Sequence, residues 1–249
     1  MRLPENETKT EMLAAVRVAI DQALVEPPLR IRWIGTPHGN FWLKRAEALS
    51  FYWRLRKGNS LAAFEADLRA MHLLGRAGMP VPPILAEGPD YFVTPDRGQS
   101  LAYLLHNGVF PEPDRITALI RAGEALAGLH LAGFCHGRPS VRDLLWDGAK
   151  ITLIDFERFR TGRNRPVHMA MDLLILTQSV FVYSTTALPE AEALVEAYAR
   201  AAPKQMAKTR ARLAMIRWPV RLAAALPFRR GLGKDLRAMT AALDLLARA

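Results

Sequence analysis

The chain has 249 residues, half of them apolar, and carries a formal charge of +10 from 34 Lys and Arg against 24 Asp and Glu. That length suits one large domain or two lobes sharing an interface, and the apolar fraction supplies a core without covalent staples. Cys135 is the single cysteine, which excludes an intramolecular disulfide and fits a reducing compartment.

The first residues, Met1-Arg2-Leu3-Pro4-Glu5-Asn6-Glu7, hold no apolar stretch of signal-peptide length, and no later run reaches the roughly 18 uninterrupted apolar residues of a membrane span. The expected location is cytoplasmic. Residues 8–24 place Met12, Val16, Ala19, Ile20 and Ala23 on one helical stripe, which Pro27-Pro28 ends. Two strand-like runs follow, Arg30–Ile34 and Asn40–Lys44, joined by the turn Gly35-Thr36-Pro37-His38-Gly39. Ser60 offers an N-cap for a helix to about Gly75, with Phe64, Leu68, Met71 and Leu74 as its buried face. A second strand-like pair, Ile84–Glu87 and Tyr91–Thr94, leads to the turn Pro95-Asp96-Arg97-Gly98, and Ser100 then opens a helix.

Residues 113–132 are strongly helical, Ile151-Thr152-Leu153-Ile154 reads as a short strand, and everything beyond about 166 reads as helix. Strands early and helices late predict an α+β architecture. Its expected division is residues 1–95, holding a helix, a small antiparallel sheet and a further helix, and residues 96–249, a larger helical part.

The chemistry concentrates between His136 and Glu157. Asp143 lies in a loop and Asp155 closes an apolar strand, so two backbone segments each present a carboxylate. Such pairs hold a divalent cation through hard oxygen ligands, as phosphoryl transfer requires. Either residue alone also suits a cap or turn. The run His136-Gly137, Asp143 and Asp155-Phe156-Glu157 resembles the catalytic and metal loops of the protein kinase superfamily. The likeness is greatest to bacterial lipopolysaccharide core heptose kinases and Kdo kinases.

That resemblance implies a bilobal kinase-like fold, with a small β-containing N-lobe and a larger helical C-lobe. It implies ATP and Mg2+ as cofactors, with Asp143 and Asp155 on the metal. Lys44, in Phe41-Trp42-Leu43-Lys44, corresponds to the strand lysine that holds nucleotide phosphates. Glu65 corresponds to that lysine's helical partner, with Asp67 as a second choice on a different helix face. Residues 94–101, including Asp96, resemble the segment whose backbone meets adenine, and Asp172 resembles the buried aspartate that anchors the catalytic loop.

Three positions depart from the family pattern. The catalytic aspartate would stand two residues after His136, where this chain has Arg138, a group suited to phosphate or substrate but not to accepting a proton. Gly35 and Gly39 do not form a phosphate-covering glycine pattern, and Trp42 stands where a small residue lines the adenine pocket. Two readings follow. One is an ATP-dependent phosphotransferase acting on a hydroxyl of a lipid-linked sugar or glycan, with Asp155, Asp143 and Arg138 at the reacting centre. The other is a pseudokinase that keeps the fold as a binding or regulatory module.

Residues 204–237 hold ten Lys or Arg against one acid, Asp235. This segment reads either as a solvated helix face or as a surface for anionic lipid, with the protein peripheral at the inner face of the membrane. Pro219 and Pro227 are expected to restrict it to short helical pieces. The tryptophans show no spacing of a stacking platform, so nucleic-acid binding rests on charge alone and ranks last.

Overall fold

A computed structural model describes residues 5–46, 60–106, 110–162, 164–224 and 232–249, and within it the chain divides into two compact units, Met1–Arg97 and Gly98–Ala249. The fold is α+β, mostly helical, with two small antiparallel sheets.

The first unit begins with α1 (Glu5–Val25), followed by the hairpin β1 (Ile31–Thr36) and β2 (Gly39–Arg45), α2 (Ser60–Arg76), β3 (Ala86–Glu87) and β4 (Tyr91–Pro95). The strands form one sheet in the order β1-β2-β4-β3. Alternation along β2 sends Phe41 and Leu43 to one face, where they are buried with Val16, Ile20 and Ala23 of α1 and with Ile34 and Val93. Trp42 and Lys44 alternate to the other face. There Phe92, the register partner of Lys44, meets Phe64 of α2 with ring centroids 5.5 Å apart. Helix α2 buries Phe64, Asp67, Ala70, Met71 and Leu74, a stripe at helical spacing that carries one carboxylate inward.

The second unit contains β5 (Gln99–Ser100), α3 (Leu101–His106), α4 (Glu112–Leu131), β6 (Leu144–Trp146), β7 (Ile151–Leu153), α5 (Pro166–Tyr183), α6 (Ala187–Ala201), α7 (Pro203–Ala224) and α8 (Leu232–Arg248). Ser100 caps α3 by accepting the Tyr103 N–H at 3.3 Å. Strands β5, β6 and β7 form a small second sheet, of which the sequence marks β7 and not β5 or β6. Strand β7 is the short apolar run expected from the sequence, β6 pairs with it as a local hairpin, and only the two-residue β5 joins through a long-range approach. A Cβ on Gly98 (φ +97°) would lie 2.1 Å from the Trp146 carbonyl oxygen, so the β5–β6 approach requires glycine there.

Helix α4 packs along α6, and Gly123 lets the backbones close, since a Cβ there would meet the Leu194 carbonyl oxygen at 2.2 Å. Helix α5 is long and apolar enough by length and composition to cross a membrane, yet half of that stretch is buried inside the structure, with Asp172, Thr177 and Ser179 in its buried set. Helix α7 runs without interruption through Pro219, correcting the expectation that this proline breaks the segment. Pro219 stands on the exposed side of the helix, where a lost backbone bond is compensated by water. Pro227 lies outside the described residues.

Candidate functional site: a paired-carboxylate cavity

The segment between α4 and β6 is held from below by one buried aspartate. Asp172 of α5 accepts the His136 N–H at 2.7 Å and the Gly137 N–H at 3.1 Å, fixing the two residues that open the loop. The His136 ring lies 4.4 Å from that of Phe156, and its Nε2 donates to the Ile154 carbonyl at 3.0 Å; a carbonyl only accepts, so Nε2 carries the proton. Gly137 has φ +102°, and a Cβ there would sit 2.7 Å from the Arg158 carbonyl oxygen. Farther along, the Val141 N–H donates to Ser179 Oγ at 3.0 Å. The loop therefore has a determined path with a glycine at its tightest point.

His130, Cys135 and Asp172 bring their ligating atoms within 4.8 Å of one another in the core. His130 Nδ1 lies 2.8 Å from the Tyr198 hydroxyl, and Asp172 is taken up by the loop amides. Burial, with help from the Asp172 charge, pushes the Tyr198 phenol well above its usual range, so it stays protonated. The cluster anchors the loop.

That path delivers Asp143. Its N–H donates to the Ser140 carbonyl at 2.8 Å, its Oδ2 accepts the Ser140 N–H at 2.9 Å, and its own carbonyl accepts the Ile154 N–H at 2.9 Å. The last bond joins the loop to the end of β7, and the next residue is Asp155. Asp155 has φ +66°, the single non-glycine with positive φ among the described residues. Aspartate tolerates this left-handed region better than most residues, yet it still costs of order 1 kcal/mol or more, and such strain collects at functional positions.

Both carboxylates line a cavity of about 510 Å³. Burial, and next the charge of Asp155, push the Asp143 carboxyl up to about 7, against the lowering effects of the Ser140 amide, Arg142 and Arg138. Arg138, Arg142 and Arg158 line the same cavity, as do Glu157, Gln178, Tyr183 and, from α8, Asp235. The Arg142 guanidinium lies over the Tyr183 ring, 6.0 Å from its centroid. The cavity thus sets two mutually repelling carboxylates beside three guanidinium groups.

No family model matches the chain. A protein of Haemophilus influenzae described as an uncharacterized protein is 31% identical over 140 residues, a match covering 56% of this chain and 58% of that protein. The chain therefore spans somewhat over half the length of this curated relative. Among solved structures, the bifunctional kinase-methyltransferase WbdD is similar with a TM-score of 0.44 and 16% identity, over 88% of this chain and 43% of that one.

Of the residues singled out in the sequence, Asp143, Asp155 and Arg138 meet in this cavity. Lys44, Glu65 and Asp96 belong to the first unit. Lys44 Nζ pairs with Asp67 Oδ2 at 2.8 Å, with both side chains largely buried. Glu65, the expected partner, is instead exposed and pairs with Arg69 at 3.3 Å. The correction has a simple cause: Asp67 shares the buried stripe of Phe64 and Met71, and Glu65 does not. Asp96 follows β4, where its N–H donates to the Asn40 carbonyl at 2.9 Å. Asp235, Gln178 and Tyr183 were not foreseen, because they arrive from α5 and α8 through tertiary packing. Arg142 and Arg158 flank the two aspartates in sequence, and that adjacency was the available signal.

Proposed function

We propose that this chain is an ATP-dependent phosphotransferase of kinase-like, bilobal fold that acts on a hydroxyl acceptor. The observation that carries this reading is the convergence of Asp143 and strained Asp155 on one cavity walled by Arg138, Arg142 and Arg158. The donors fit Mg2+, since two carboxylates form a hard oxygen set and their mutual repulsion is relieved by a divalent cation. When bound, the ion would neutralise charge on phosphate oxygens.

The chain's own residues divide the remaining work. The buried Asp172 carboxylate holds His136 and Gly137, which sets the height of the loop. In this reading the three arginines neutralise the transferring phosphoryl group. Glu157 and Asp235 are the cavity carboxylates suited to orient the acceptor hydroxyl and take its proton, in place of the aspartate whose position Arg138 fills. Lys44, steadied by Asp67, is assigned to the nucleotide's α and β phosphates, and Asp96 to the segment that meets adenine. The acceptor class proposed is a lipid-linked sugar or glycan.

A second reading, a pseudokinase, is favoured by Arg138 and by Trp42 on the same strand face as Lys44. Calorimetric titration with a non-hydrolysable ATP analogue, with and without Mg2+, tests both. Magnesium-dependent binding that disappears in Asp155→Ala, together with ATP turnover in the wild type, is the expected result. Binding without turnover, even with candidate glycans supplied, would select the pseudokinase. No binding at millimolar nucleotide would refute the phosphotransferase and also select the pseudokinase, with protein or membrane partners as its ligands.

A further inference from the structure

Helix α7 carries six cations, Lys204, Lys208, Arg210, Arg212, Arg217 and Arg221, and no acid. Its inner face buries Met206, Thr209 and Leu213. On the outer face three large apolar side chains stand in water: Met215 is 73% exposed, Trp218 71% and Leu222 58%. Their spacing of three and four residues puts them on one stripe, and Lys204, Lys208 and Arg212 continue that stripe toward the helix start. The outer face is thus cationic in its first half and apolar in its second.

A merely solvated helix face has no reason to group Trp, Met and Leu in this way. Arg221 is neutralised by Asp244 at 2.7 and 2.8 Å, while among the described residues no carboxylate pairs with the other five cations. A second copy of this helix would repel the first, because both carry the same charge. A nucleic acid would satisfy the cations but leave Met215 and Leu222 without a partner, and one indole is not a stacking platform. An anionic bilayer surface matches both halves: lipid phosphates meet the cations, Trp218 sits at headgroup level, and Met215 and Leu222 enter the acyl boundary.

We infer that the outer face of α7 docks the protein on an anionic lipid surface through Met215, Trp218 and Leu222, with Lys204, Lys208 and Arg212 on the headgroups. This inference rests on the exposure and charge of one helix and is independent of the proposed phosphotransfer.

The test is co-sedimentation of the full chain with phosphatidylcholine vesicles, and with vesicles in which part of that lipid is replaced by phosphatidylglycerol. Binding to the anionic vesicles alone, weakening as salt rises, is expected. Trp218→Ser and Leu222→Ser should each lower partitioning by about tenfold, and the Lys208→Glu/Arg212→Glu double variant should abolish the preference for anionic lipid. Trp218→Phe, which keeps the apolar contact, should still bind while losing part of the fluorescence blue shift. Because these side chains are exposed, thermal unfolding of the free variants should match the wild type. Equal binding to both vesicle types, undiminished binding by Trp218→Ser, or tighter salt-sensitive binding to RNA with the serine variants unaffected would each overturn the inference. Nucleotide titration of the same variants stays unchanged in either case, which separates this inference from the fate of the proposed activity.

Discussion

Asp155 stands in the left-handed region one residue beyond Ile154, whose N–H is bound by the carbonyl of Asp143, so a single backbone hydrogen bond of 2.9 Å couples the two acids. Each has a separate local reason for its position: the Ser140 amide for Asp143 and the end of β7 for Asp155. Their like charges oppose each other within one cavity.

The first expected outcome is a pH signature. The Asp143 carboxyl is raised from 3.8 to about 7 in the folded state, so between those values the folded protein holds a proton that the unfolded chain has released. The contribution of Asp143 to stability therefore falls as pH rises from about 4 to about 7 and levels off above. Asp143→Asn retains an oxygen for the Ser140 amide and removes the charge. It should be the more stable protein above pH 7, by at most about 4 kcal/mol, and the difference should vanish near pH 4. Urea unfolding across pH reads this, and added Mg2+ should recover the gap in the wild type alone.

The two acids of α2 give a contrast within one helix turn. Asp67 pairs with Lys44 away from solvent, while Glu65 pairs with Arg69 in water. Asp67→Ala removes a buried carboxylate from the Lys44 ammonium and should cost about 3–5 kcal/mol, whereas Glu65→Ala should cost about 0.5 kcal/mol or less. Equal effects in chemical denaturation would contradict the assigned pairing.

At Gly137 the loop has no space for a methyl group. Gly137→Ala must distort a φ of +102° and a 2.7 Å approach to the Arg158 carbonyl. A loss of about 1–3 kcal/mol is expected, together with a weakening of the magnesium-dependent nucleotide binding proposed above, because the displacement reaches Asp143. Gly133→Ala is the control, at φ +83° with open space around it, and it should lose stability without that binding defect.

Arg115 and Glu190 join α4 to α6 by a 2.8 Å ion pair that is almost wholly buried, with Arg115 also donating to the Phe110 carbonyl. Arg115→Ala leaves a buried carboxylate without its cation and should destabilise by about 3–5 kcal/mol. Adding Glu190→Gln should restore a large part of that loss. A double variant as unstable as the sum of the two singles would show that the residues act independently.

The local elements were legible wherever one period persisted over a long run. Val16, Ile20 and Ala23 marked α1, and alternation around Phe41 and Leu43 marked β2. Of the second sheet, Ile151–Leu153 was legible as an apolar run, while Gln99–Ser100 was not, because it acquires its strand partner Leu145–Trp146 only through a long-range approach. Pro219 misled for the opposite reason: a local rule gave way to a helix held by its buried inner face.

The site divides along the same line. The resemblance of the His136, Asp143 and Asp155 spacing to kinase-type loops paired the two acids in the sequence, and the loop and strand that carry them are neighbours along the chain, joined by a turn in which Asp147 accepts the Ala149 and Lys150 amides. Which carboxylate holds Lys44, and the arrival of Asp235 in the cavity, depended on helix faces and on packing between distant segments. Backbone propensity and short-range hydrogen bonds act within a few residues and can be read in order. Burial is a property of the whole folded chain, and it alone determined which charges lost their water and needed partners.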